Sequence, residues 1–183
     1  MYKIAIVGAP GCGKSTLASE IYTKCKKQGY NIELVREYIR ELFSIGWKPE
    51  TIADQYYIMQ KQHEREQNVH DDVDIIVTDS PIILPFYYGK QLYNGTLHDM
   101  IIYSELQSMF MQHMQYYDFI IMLERSHEYV EDGVREQSEE ESNKVHEDLM
   151  QLMSFYHIEQ TVYGDYDGCL HYVLEMLPAR YIP

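Results

Sequence analysis

Apolar residues occur along the chain in short runs, separated by longer stretches of mixed pattern. Ile4-Ala5-Ile6-Val7 is the first run, so Tyr2 to Val7 reads as a buried strand stopped by Gly8. Leu17, Ile21 and Cys25 then recur at four-residue spacing, which predicts a helix from Lys14 to Gln28 with Gly29 as its stop. Asn31 to Val35 reads as a second strand, and Glu37 to Ile45 as a helix ending near Gly46. Pro49 suits the first turn of another helix, which aligns Ile52, Tyr56, Met59 and His63 on one face. A third strand spans Asp74 to Thr78 and is closed by Asp79-Ser80-Pro81. A helix is expected over Leu97 to Gln115, and a fourth strand over Tyr117 to Leu123. Residues 124–138 are polar and read as a connection. A helix over Glu139 to Met153, a strand near His157 to Val162 and a helix near Gly168 to Leu177 complete the series.

Short apolar strands alternating with helices indicate an α/β fold: five strands, mostly parallel, with helices on both faces. Length fits one domain over residues 1–183, since the chain has 183 residues and shows neither a Gly/Ser linker nor an internal repeat. Hydrophobic residues at 45% exclude disorder as the main state. No apolar run approaches a membrane span, and residues 1–20 lack the pattern of a signal peptide. Cys12, Cys25 and Cys169 are odd in number and widely spaced, which points to reduced thiols and a cytoplasmic setting. The eight histidines lack the paired spacing of a zinc site.

The net charge of −14 disfavours a nucleic-acid partner held by general charge. It is unevenly spread: residues 1–48 carry +4, whereas 49–123 carry −8 and 124–150 carry −7. The positive quarter is where a phosphorylated ligand is expected.

That quarter contains Gly8-Ala9-Pro10-Gly11-Cys12-Gly13-Lys14-Ser15, a match to G-x-x-x-x-G-K-S/T between a strand and a helix. Glycines let the backbone fold around phosphate oxygens, and the amides at the helix start converge on the anion. Lys14 is expected to neutralise the β- and γ-phosphates of a bound nucleotide and Ser15 to ligate Mg²⁺, with Gly8, Gly11, Cys12, Gly13 and Thr16 completing the nucleotide contacts. Cys12 reads as a small loop residue, since no base is paired with it.

A P-loop site also needs a carboxylate at the metal and, for a kinase, a base for the attacking hydroxyl. Asp79, at the tip of a buried strand, is the leading candidate and Glu124 the runner-up; which of Glu37 and Asp79 is the base stays open. Glu37 lies in Val35-Arg36-Glu37-Tyr38-Ile39-Arg40-Glu41, where Arg36, Tyr38 and Arg40 are candidate acceptor contacts. Arg125 and Arg135 are candidates for a lid over about 125–138 that closes on the γ-phosphate. Tyr38, Tyr56, Tyr57, Phe86, Tyr87 and Tyr88 are candidates to stack on a base.

These pieces, with Thr78-Asp79, Tyr117-Asp118, Val130-Glu131-Asp132-Gly133-Val134-Arg135 and Gly164-Asp165-Tyr166, resemble the ribosylnicotinamide kinase domain of NadR and the P-loop kinases grouped with it. The resemblance implies a three-layer P-loop kinase fold with a short lid, and ATP with Mg²⁺ as donor. It implies transfer to a hydroxyl of a nucleoside-like or nucleotide acceptor, nicotinamide riboside first among them. It also implies that Gly164 to Tyr166 border the adenine. The alternatives are a kinase acting on a modified base or end of DNA, and a regulatory P-loop NTPase. The preference for ATP over GTP and the oligomeric state stay open.

Overall fold

The computed structural model describes residues 1–126 and 138–178. Along the chain run β1 (Tyr2–Val7), α1 (Lys14–Lys27), β2 (Ile32–Val35), α2 (Ile39–Ser44), α3 (Ile52–Gln67), β3 (Ile75–Thr78), α4 (Ile83–Gln91), α5 (Leu97–Met114), β4 (Phe119–Leu123), α6 (Glu139–Phe155), β5 (Thr161–Gly164) and α7 (Tyr166–Met176). The five strands form one sheet in the order β2-β3-β1-β4-β5, and each adjacent pair is parallel.

Side chains alternate across β1. Ile4 and Ile6 join Leu17, Ile21 and Cys25 of α1 and Cys169 and Val173 of α7 on one face. Ala5 and Val7 join α3, α4, α5 and α6 on the other. Both faces of the central strands are therefore covered, which is why they are continuous apolar runs rather than alternating ones. The chain passes from β1 outward to β2 on one side and later adds β4 on the other. The crevice at the carboxyl end of β1 lies at this reversal, the place where open parallel sheets bind ligands.

The stretch Ile82 to Tyr88, which contains the stacking candidates Phe86, Tyr87 and Tyr88, forms a helix that the spacing does not predict. It opens α4, whose Ile83, Leu84, Pro85, Phe86, Tyr87 and Gly89 are buried, with α3 and α5 packed against the helix. Phe86 stacks on Phe110 with ring centroids 4.4 Å apart. A helix apolar on every side has no periodic stripe, so spacing does not reveal it. Pro85 falls in the first turn, where the amide it lacks has no helical partner in any case.

Candidate functional site

The turn between β1 and α1 is shaped by glycine. Gly11 and Gly13 have φ of 82° and 95°, in the left-handed region that side chains disfavour. At Gly8 the constraint is space: a Cβ there would lie 2.6 Å from Cys12 Sγ and 2.9 Å from the Leu123 carbonyl oxygen. The loop thus lies directly against the end of β4. Lys14 Nζ donates to the carbonyls of Gly8 (2.8 Å) and Ala9 (3.0 Å), which holds the ammonium across the loop. Ser15 is half-buried. Thr16 is exposed and makes no cap, since Gly13 caps α1 without a side chain. Cys12 is buried.

Two further strands bring carboxylates to this edge. The register pairs Ala5 with Thr78, so Asp79 comes level with Ile6, near the end of β1 before the loop. Asp79 is 4% exposed, and its Oδ1 has no hydrogen-bond partner among the described residues. A buried carboxylate oxygen without a partner is costly, and the cost falls if a cation binds it. A carboxylate and a serine hydroxyl are hard oxygen donors of the kind Mg²⁺ prefers, so Asp79 and Ser15 fit that ion. Glu124 is exposed beyond β4, which makes it the weaker candidate.

Glu37 reaches the same edge from β2. Its Oε1 accepts from the hydroxyl of buried Ser80 at 3.1 Å, and its Oε2 accepts from Arg40 Nε at 3.1 Å. The pairing with Ser80 places the Glu37 carboxylate beside the Asp79 segment. Arg36 is exposed. Tyr38 donates its backbone N–H to Gln62 Oε1 at 2.9 Å, its hydroxyl pairs with that of Tyr57 at 2.9 Å, and Arg65 lies 4.7 Å over its ring. The hydroxyl pair pushes the Tyr38 phenol up to about 12. Of the six candidate stacking residues, Tyr38 and Tyr57 therefore sit at the site. Phe86 and Tyr87 are core residues, and Tyr56 and Tyr88 pack against the core.

Arg125 follows β4 and donates to Glu139 Oε1 (2.9 Å) and Asn143 Oδ1 (2.7 Å), both on α6. The same helix reaches the loop, where buried Ser142 donates to the Pro10 carbonyl at 2.7 Å. Arg135 and most of the expected lid lie outside the described residues. A groove of about 630 Å³ runs along α1 from Thr16 to Lys27 and Tyr166. Of the expected site residues, Thr16 and Tyr166 line it and none of the carboxylates does, so it flanks the carboxylate cluster rather than containing it.

Sequence reasoning passed over Gln62 and Ser142. Each is a polar residue on an otherwise buried helical stripe: Ile52, Gln55, Met59, Gln62 and Glu66 on α3, and Ser142, Val145, Leu149 and Leu152 on α6. A polar residue at a core position of such a stripe is the signal that was available.

Sheet order, crossover helices and phosphate-binding turn together define a P-loop NTPase fold. A family model described as an AAA domain matches residues 3–166, and the chain belongs to that family. Among solved structures, NadR in complex with NR is similar with a TM-score of 0.75 at 21% identity, covering 100% of this chain and 54% of that one. NadR in complex with NAD and AMP-PNP is similar with a TM-score of 0.71 at 18% identity, covering 100% of this chain and 51% of that one. This chain thus spans about half the length of those structures, and at such identity the likeness is one of fold. No curated protein matches.

Proposed function

We propose that residues 1–183 act as an ATP- and Mg²⁺-dependent kinase that phosphorylates a hydroxyl of a nucleoside-like or nucleotide acceptor, with a nicotinamide riboside-like compound as the first candidate. The observation that carries this reading is the convergence at one sheet edge of Lys14 on its loop, the unpartnered Asp79 carboxylate and the Ser80-linked Glu37. A nucleotide switch needs the first two of these; an acceptor-side carboxylate tied to the metal-side segment is the added part a transferase needs. That NadR structures hold NR in one case and NAD with AMP-PNP in another supports the choice of acceptor class and donor.

In this reading the amides from Gly8 to Thr16 cradle the phosphates, and Lys14 leaves the loop carbonyls to neutralise them. Ser15 and Asp79 would hold Mg²⁺, which when bound supplies charge neutralisation on the transferring phosphate. Glu37 orients the acceptor hydroxyl and takes its proton, while Arg36, Tyr38 and Arg40 line the acceptor side. Arg125 and Arg135 close over the γ-phosphate. Most of the rate gain then comes from alignment and charge, because phosphoryl transfer has little other covalent chemistry for a protein to perform. All three thiols are free and buried, which supports a reducing compartment such as the cytoplasm. No helix among the described residues is long and apolar enough to cross a membrane.

The test is phosphate transfer from labelled ATP to a panel of nucleosides, nucleotides and oligonucleotides, with Lys14→Ala as control. Transfer to a nucleoside, lost by about 10²-fold or more in the variant, is the expected result. Binding of ATP with no transfer to any acceptor sinks the kinase and favours a switch. Transfer confined to oligonucleotides moves the acceptor to DNA.

A further inference from the structure

We propose that Gln62 is a positioning residue for phosphoryl transfer, holding the Glu37–Tyr38 turn in place against the tip of β3. The inference rests on the kinase reading above and adds a residue to it. The need for such a residue follows from α2, which buries none of its side chains. Its apolar residues Ile39 and Leu42 are only half-buried and Phe43 is exposed, so packing holds this six-residue helix weakly. Polar links must fix it instead. The Arg65–Glu41 ion pair is one, but Glu41 is exposed, and ion pairs in water hold weakly. The Tyr38–Tyr57 hydroxyl pair also lies at the exposed rim. Gln62 is 2% exposed, so its links are shielded from water, where hydrogen bonds are strongest and most costly to break.

The direction of each link is forced. The Tyr38 backbone N–H can only donate, so it must meet the Gln62 amide oxygen, at 2.9 Å. The Gln62 NH₂ group is then left to donate to Thr78 Oγ1, at 3.3 Å. Thr78 Oγ1, engaged by Gln62, stands at the tip of β3 next to Asp79. Glu66 accepts from Tyr117, whose hydroxyl is 2.9 Å and 3.1 Å from its two oxygens. A pair of buried, oriented hydrogen bonds thus runs from the tip of β3 through Gln62 of α3 to the amide of Tyr38, which caps α2, while one turn further along α3 Glu66 holds Tyr117. The two outer contacts of the pair, Tyr38 and Thr78, adjoin Glu37 and Asp79 in sequence. Together with Ser80 the pair sets the separation of those two carboxylates. The P-loop is not a member of the pair.

Gln62→Met keeps the length and apolar bulk of the side chain and removes both links. Misplacement of a reacting group by about 1 Å costs about 10²-fold in rate, so kcat per folded molecule should fall by about 10- to 100-fold while the KM for ATP is unchanged. Deuterium uptake over residues 36–44 should rise, with uptake over the P-loop unchanged. A role confined to stability would lower the melting temperature and leave kcat per folded molecule and this split untouched, which overturns the proposal. Should Gln62→Met fail to fold, Thr78→Val serves: it removes one link of the pair, and an unchanged kcat with unchanged exchange over 36–44 overturns the proposal equally. Absence of turnover in the unmodified chain with every acceptor is a different failure: it sinks the kinase reading and this inference with it.

Discussion

Ser80 donates its hydroxyl to the Glu37 carboxylate across 3.1 Å, joining two residues 43 positions apart in sequence. Ser80 is buried, so this link draws Glu37 inward toward the Asp79 segment, while Arg40 holds the other carboxylate oxygen from the exposed side. A hydrogen bond to a charged group is worth about 1.5–3 kcal/mol. Ser80→Ala is therefore expected to lower kcat/KM for the acceptor by roughly tenfold or more, with ATP affinity unchanged. Steady-state kinetics varying each substrate in turn makes the check, and an equal loss for both substrates would contradict it.

Asp79 is a buried carboxylate whose Oδ1 meets no donor among the described residues. Such a group stabilises nothing in the ion-free protein; removing its charge should help folding and harm function. Asp79→Asn is expected to raise the melting temperature without Mg²⁺ and to abolish the stabilisation that Mg²⁺ with ATP gives the unmodified chain. Thermal melts with and without Mg-ATP measure both effects. A variant less stable in metal-free buffer would show that the carboxylate has a structural partner.

The parts of this molecule that rest on local rules were readable in the sequence. The central strands are continuous apolar runs because both faces are covered. The P-loop is a backbone device whose glycines sit where positive φ or lack of space demands them. Asp79 followed from its place at the tip of a buried strand. What escaped had a different origin. The apolar character of α4 has no period to detect. The edge strand β5, half-exposed, was expected near His157 to Val162 and runs Thr161–Gly164, since an edge strand carries a weaker apolar signal. On α3 the buried face carries Gln55, Gln62 and Glu66, whereas the apolar spacing pointed to Tyr56 and His63. The links that assemble the site join distant positions, Ser142 to Pro10 and Ser80 to Glu37, and a one-dimensional pattern does not encode them.

Gly8 offers a test of the loop that does not depend on the acceptor. A methyl group there meets Cys12 Sγ at 2.6 Å and the Leu123 carbonyl at 2.9 Å. The thiol is a side chain that can be shortened; the carbonyl belongs to the central sheet. Gly8→Ala should therefore lose about 1–3 kcal/mol of stability and most of its nucleotide affinity, as overpacked sites do. Adding Cys12→Ala relieves one contact and is expected to restore stability in part, with nucleotide affinity still weak. Calorimetry with Mg-ATP and chemical denaturation measure the two quantities separately. Full recovery in the double variant would mean that the Leu123 carbonyl is not a constraint.

Glu66 makes the stability of the fold depend on pH. Burial pushes its carboxyl up from 4.5 to about 7, against the opposing pull of the Tyr117 hydroxyl, Lys3 and Thr78. The folded state therefore binds the Glu66 proton more tightly than the unfolded state does. Below about pH 4.5 both states are protonated, and the stabilisation is fully present. Between pH 4.5 and about 7 the unfolded chain has lost the proton that the folded chain keeps, so stability falls as pH rises. Above about 7 both are ionised, and the full loss, on the order of 3 kcal/mol, is in place. Glu66→Gln replaces the carboxyl by a neutral group that still accepts from Tyr117, so it should remove this dependence. Expected is a gain in melting temperature over the unmodified chain at pH 8 that shrinks toward pH 5. Other carboxylates titrate in both proteins and cancel in the difference. Parallel melting profiles across that range would show that Glu66 is already ionised in the fold, held charged by the Tyr117 and Thr78 hydroxyls.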